Sequence, residues 1–201
     1  MLEAYFRTYY QKWLVDKLAV KISQFASPNL ITLYAVLWGI VTAILLSLGY
    51  SHGALIALMI SGYLDSLDGT IARLTTRSTP LGTALDIIGD RIVEFAVIFG
   101  LYLIAPPARA TTIILMLGSV LICICSFLVV GIFTQNTSNK SFHYSPGMME
   151  RFETFLFFFA MILFPHYFIY LGYAFTLLVS FTAILRIREF AHVASVSLNK
   201  I

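Results

Sequence analysis

The sequence predicts an all-α, polytopic membrane protein with six transmembrane helices and an amphipathic interfacial helix at its N-terminus. Three observations predict it. The 201 residues are 59% hydrophobic and only 11% charged, against roughly 25% charged residues in an average soluble domain. Apolar residues gather in runs near the ~20 that a helix needs to cross a bilayer, at 29–50, 53–73, 81–104, 110–133, 149–165 and 167–185. These runs are continuous, as in LITLYAVLWGIVTAILLSLG from residue 30 to 49, whereas the strands of a membrane barrel alternate polar and apolar positions over about ten residues.

The elements follow in chain order. Before the first run, Phe6, Tyr10, Trp13, Leu14, Leu18, Ile22 and Phe25 share one helical face, and Arg7, Gln11, Lys12, Asp16 and Lys21 share the opposite one. A basic face opposed to an aromatic face describes a helix lying in the membrane interface. It should stop at Ser27-Pro28-Asn29, because proline disfavours helix at the residue before it. Residues 1–28 thus form an interfacial segment, 29–190 a six-helix domain and 191–201 a cytoplasmic tail. The outer connections GYSHG, APPARA and FPHY are short, so consecutive helices run antiparallel. The inner connection 134–148, TQNTSNKSFHYSPGM, is the longest and most polar, and the loop best suited to touch a soluble molecule.

Twelve of the thirteen Lys and Arg residues fall at one end of these helices, and only Arg109 falls at the other. By the positive-inside rule, both termini and the loops after helices 2 and 4 face the cytoplasm. The net charge of +3 then reflects topology and calls for no nucleic acid. Cys123 and Cys125 are two apart on a helix and point in different directions, so they do not bridge. The first 25 residues, basic and amphipathic, lack the pattern of a cleavable signal peptide.

Against this background the acidic residues are out of place. Of ten in the chain, Asp65, Asp68, Asp86, Asp90 and Glu94 fall within one window of 30 residues. A rise of about 1.5 Å per residue puts Asp65 and Asp68 at membrane depth in the inner half of helix 2, where each charge costs roughly 2.5–3.5 kcal/mol. Asp65 and Asp68, three apart, share one helical face; Asp86, Asp90 and Glu94, spaced by four, share another. Between them Thr79-Pro80 reads as a hydroxyl N-cap followed by proline in the first helical position. Two acidic faces can therefore meet at the cytoplasmic surface. Arg73 and Arg91 offset part of their charge; the rest calls for bound cations. With oxygen donors and no nearby His or Cys, hard ions such as Mg²⁺ or Mn²⁺ are expected. Four carboxylates suit a two-metal site acting on a phosphoryl group. Gly69, Gly82 and the small Ala72 leave backbone open to a ligand, and Arg73 offers a planar fork for phosphate.

Asp65-x2-Asp68-Gly69-x2-Ala72-Arg73-x8-Gly82-x3-Asp86-x3-Asp90 resembles the complete signature of the CDP-alcohol phosphatidyltransferase family, with no departure at any fixed position. The resemblance implies transfer of a phosphatidyl or related substituted phosphate group from a CDP-linked donor, CDP-diacylglycerol, to an alcohol, with release of CMP. It implies that Asp65, Asp68, Asp86 and Asp90 bind two divalent cations. It further implies that Asp90 is the general base for the acceptor hydroxyl, and that Gly69, Ala72, Arg73 and Gly82 contact the CDP moiety. A homodimer is implied as well, and Gly118, Ser119 and Ser126 on helix 4 are small enough for close helix contact.

The acceptor is less legible. Arg91, directly after Asp90, is similar to the Asp-Arg of inositol-type members of the family, whereas glycerophosphate-type members more often carry lysine there. Inositol or inositol phosphate is thus the expected acceptor, with glycerol 3-phosphate the alternative. A phosphorylated acceptor needs basic partners, for which Arg91, Lys140, Arg151, Arg186 and Arg188 are candidates. Arg186 and Arg188 equally serve as topological anchors, and Arg151 lies between Glu150 and Glu153. Glu94 suits a structural pair with Arg91 at spacing three. His52, His143 and His166 have no second ligand at metal spacing, and FLFFFAMILF at 155–164 is a packing or lipid-facing surface. An ion transporter or an intramembrane prenyltransferase would also place acids in the membrane, but neither releases CMP.

Overall fold

The computed structural model describes residues 16–75, 79–133, 149 and 151–198. The amphipathic segment before residue 16, Arg77, Lys140, His143 and the connection 134–148 lie outside the described residues. Among those described, all regular structure is helical: α1 Asp16–Ile22, α2 Pro28–Ser47, α3 Ser51–Leu74, α4 Pro80–Ile104, α5 Pro106–Phe133, α6 Arg151–Leu163, a short 3₁₀ turn Pro165–Tyr167 and α7 Phe168–Leu198. Among the described residues four stretches are long and apolar enough to cross a membrane, Pro28–Ser47, Ser51–Leu74, Pro106–Phe133 and Pro165–His192, and the chain is an integral membrane protein. The chain forms two compact units, Met1–Ala110 and Thr111–Ile201, dividing within α5. The last helix runs to Leu198, past the apolar run that ends near residue 185, because Arg186, Ile187, Arg188 and Glu189 are polar or apolar but none breaks a helix.

In the first unit, α2 is apolar all round, so hydrophobicity cannot choose which face turns inward. Small residues choose it. Ile31, Ala35, Gly39, Thr42 and Leu46 form the buried stripe, while Leu33, Leu37 and Ile44 are exposed. A Cβ on Gly39 would come within 2.6 Å of Val93 Cγ2 on α4, and one on Gly100 within 2.8 Å of the Ala43 Cα on α2. Opposite α3, Ser61 Oγ donates to the Ala35 carbonyl at 2.7 Å. α2 ends at Gly49, whose φ of 80° needs glycine; Gly49 N donates to the Leu46 carbonyl and Tyr50 N to the Leu45 carbonyl. These are the two bonds of a Schellman cap, and α3 turns back immediately.

α1 packs through Ala19 against Ile31, Leu67 and Ile71, with Ile22 at the edge of the same cluster. Of the apolar face expected here, Ile22 thus turns toward protein, and Phe25 is 89% exposed. Arg109, the one basic residue assigned to the outer side, is buried and Nη1 donates to the Leu101 carbonyl at 2.7 Å, satisfying an orphan group at the end of α4.

In the second unit Phe158, Phe168, Phe175, Met116 and Met161 are fully buried. Phe158 stacks on Phe175 with ring centroids 5.9 Å apart, so the phenylalanine run of α6 contributes core as well as exposed positions such as Leu156. The Thr182 hydroxyl accepts from Met149 N at 3.0 Å and ties the chain entering α6 to α7. Cys123 and Cys125 are free thiols.

Candidate active site

The site forms where α3 ends and α4 begins. Thr79 has extended backbone and its hydroxyl accepts from Gly82 N at 3.0 Å, which starts α4 where the Thr-Pro pair predicts. That start fixes the helical phase of Asp86. Asp65, Asp68 and Asp86 each present a carboxylate oxygen, and these oxygens all lie within 4.8 Å of one another. The two acidic faces predicted from spacing do meet. Asp68 is the buried member, 4% exposed. Three carboxylates this close repel one another strongly, and an all-oxygen donor set suits a hard divalent cation such as Mg²⁺ or Mn²⁺.

Asp90 is not in that group of three. Its Oδ2 lies 3.9 Å from Arg91 Nη2, and Arg91 Nη1 forms a 2.6 Å ion pair with the buried Glu94. Glu94 is therefore the structural partner that spacing three predicts. Arg91 is thus paired along its own helix, with about a third of its side chain exposed.

Arg73 is exposed, one turn beyond Gly69, and its Nη2 donates to Thr70 Oγ1 at 3.0 Å. Its Nη1 stands beside Gly69, 3.6 Å from where a Cβ would lie. Gly82 has a local reason to be glycine: a Cβ there would sit 3.2 Å from both the Thr79 hydroxyl and Asn29 Oδ1, pressing on the cap. Of the other basic candidates, Arg186 is buried, donates through Nη1 to the Cys123 carbonyl at 3.1 Å and to Ser126 Oγ at 3.3 Å, and lies over the Phe127 ring at 5.2 Å. Arg151 lies over Phe155 at 5.7 Å, and Arg188 is exposed.

One contributor escapes sequence reasoning. The Thr32 hydroxyl, in the second turn of α2, donates to Asp68 Oδ2 at 2.5 Å. The only local signal is a hydroxyl in an otherwise apolar stretch.

A family model described as CDP-alcohol phosphatidyltransferase matches residues 25–188. The chain is 32% identical over 149 residues to inner membrane protein YnjF of Escherichia coli (strain K12), covering 71% of this chain and 72% of that protein. It is 39% identical over 72 residues to archaetidylinositol phosphate synthase of Methanothermobacter thermautotrophicus, covering 34% of this chain and 37% of that protein. Among solved structures the fold is similar to Mycobacterium tuberculosis phosphatidylinositol phosphate synthase (PgsA1). In the form with CDP-DAG bound the TM-score is 0.65 at 20% identity, covering 88% of this chain and 93% of that one. In the complex with manganese and citrate the TM-score is 0.70 at 18% identity, covering 88% of each.

Proposed function

Because the chain belongs to the CDP-alcohol phosphatidyltransferase family, we propose that it transfers the phosphatidyl group of CDP-diacylglycerol to inositol or inositol phosphate and releases CMP. The observation that carries this reading is the convergence of Asp65, Asp68 and Asp86 to within 4.8 Å at the junction of α3 and α4. The inositol-type acceptor is supported by the names of two similar proteins, an archaetidylinositol phosphate synthase and a phosphatidylinositol phosphate synthase; the Asp90-Arg91 pair agrees with it.

Asp65, Asp68 and Asp86, with Asp90 one turn further along α4, would hold two divalent cations, Mg²⁺ or Mn²⁺. When bound, such cations compensate negative charge on the pyrophosphate and on the departing CMP. The chain's own groups do the remaining work. Gly69, Ala72 and Gly82 let the donor's CDP moiety approach the helices, and Arg73 supplies a positive fork for its phosphates. Asp90 takes the proton of the acceptor hydroxyl as the new oxygen–phosphorus bond forms and the bond to the CMP oxygen breaks. The donor's acyl chains stay in lipid. A phosphate on the acceptor would be met by basic residues drawn from Arg91, Lys140, Arg151, Arg186 and Arg188.

This reading includes six spans, α2 to α7, with α4 crossing despite its acids, and an interfacial segment over 1–28. The distribution of Lys and Arg supports a site and both termini that face the cytoplasm, and the enzyme works as a homodimer in this reading. Purified protein given radiolabelled CDP-diacylglycerol and Mn²⁺ tests it: CMP and a labelled lipid should appear with inositol or inositol phosphate. Turnover only with glycerol 3-phosphate reassigns the acceptor; no CMP with any alcohol refutes the activity.

A further inference from the structure

Thr32 touches both acid-bearing helices at once. Its hydroxyl donates to Asp68 Oδ2 on α3 at 2.5 Å. Its methyl faces α4, where a Cβ on Gly89 would lie 3.5 Å from Thr32 Cγ2 and 3.0 Å from Val36 Cγ2. Gly89 is buried and directly precedes Asp90. The preceding turn of α2 brings Asn29 Oδ1 to the start of α4, beside Gly82. A threonine hydroxyl has a single proton. The Pro28 carbonyl lies 3.2 Å away, but the far shorter distance and the charge on the carboxylate assign that proton to Asp68.

We propose that Thr32 is a positioning residue for the metal centre, its hydroxyl fixing the rotamer of Asp68 while its methyl spaces α4. The inference rests on the reading of Asp65, Asp68 and Asp86 as metal ligands. A carboxylate has two oxygens and about four lone-pair sites, so accepting from Thr32 leaves Asp68 able to ligate. The bond fixes one carboxylate oxygen of Asp68 and so helps to set, before a cation arrives, the geometry that the cation needs. Partners of this kind behind metal ligands typically change affinity by about 10–100-fold when removed.

The test is direct Mn²⁺ binding to the full chain in detergent, read from the electron paramagnetic resonance signal of free Mn²⁺. Thr32→Val keeps the shape and loses the hydroxyl; its dissociation constant should rise about tenfold or more. Thr32→Ser keeps the hydroxyl and should stay within about threefold of the parent. If Thr32→Val does not fold, Thr32→Ala replaces it, since Ser and Ala differ only by the hydroxyl. Equal affinity of Val or Ala and the parent, or equal weakening in Ser and Ala, overturns the inference and leaves Thr32 a packing residue. Asp68→Asn separates this from the premise: if it binds Mn²⁺ like the parent, the assignment of the metal ligands fails; if it binds weakly while Thr32→Val binds normally, only the role of Thr32 fails.

Discussion

Asp86→Asn should make the protein more stable in EDTA and less stable in Mn²⁺. With carboxylate oxygens within 4.8 Å of one another, each like-charge pair costs at least about 3.5 kcal/mol at an effective dielectric constant of about 20. Neutralising Asp86 removes two such pairs, those with Asp65 and Asp68. Asp86 is not buried like Asp68, and water and salt reduce the realised gain to about 1–3 kcal/mol. For a chain of this size that corresponds to a rise of about 2–10 °C in melting temperature. A cation reverses the order. At a hundred times its dissociation constant, Mn²⁺ adds about 2.7 kcal/mol to the parent, and a variant that has lost a charged ligand receives much less. The assay is thermal unfolding of detergent-solubilised protein, parent and variant, each with EDTA and with Mn²⁺. The expected signature is a crossing of the two melting orders. Identical melting in EDTA, or an equal upward shift of both proteins by Mn²⁺, would show that the three acids do not act as a cation site.

Asp90→Asn should retain the fold while phosphatidyl transfer falls at least about a hundredfold, the usual scale for loss of a general base; near-normal turnover in the purified variant removes that role. Gly100→Ala should destabilise by about 1–2 kcal/mol, because a Cβ 2.8 Å from the Ala43 Cα forces backbone apart, an overpacking cost of about 1–3 kcal/mol only partly offset by helix propensity. Gly53→Ala, whose added Cβ would meet its nearest neighbour at an ordinary 3.5 Å, should be neutral or stabilising in the same melts, and a reversed ranking contradicts the packing of α2 on α4. Ser61→Ala should cost under about 1 kcal/mol, since hydrogen bonds between membrane helices average about 0.6 kcal/mol; a loss several times larger in unfolding measurements would mean that the bond to the Ala35 carbonyl organises more than its own contact.

The acidic site was legible because its information is local. Spacings of three and four put the carboxylates on common faces, Thr79-Pro80 announced the restart of the helix, and Arg91 and Glu94 declared their pairing in the same way. Thr32 was not legible because its partner lies 36 positions away, and no periodicity in α2 distinguishes a hydroxyl that reaches a carboxylate from one bonded to its own helix. Hydropathy also misjudged the last helix: it registers the polarity of Arg186 and Glu189, whereas helix formation registers only that these side chains fit the backbone. The inward face of α2 depends on residue volume, which a count of apolar positions does not see.

Volume also governs how this sequence can change over evolutionary time. Gly39 exists opposite Val93 because a Cβ on the first would lie 2.6 Å from one methyl of the second and 2.9 Å from the other. The two positions are 54 residues apart, yet a gain of size at one requires a loss at the other, and their substitutions are coupled. Lineages carrying alanine or serine at position 39 should therefore carry alanine or glycine at position 93. The pair records, as correlated exchange, a helix contact that neither residue reveals alone.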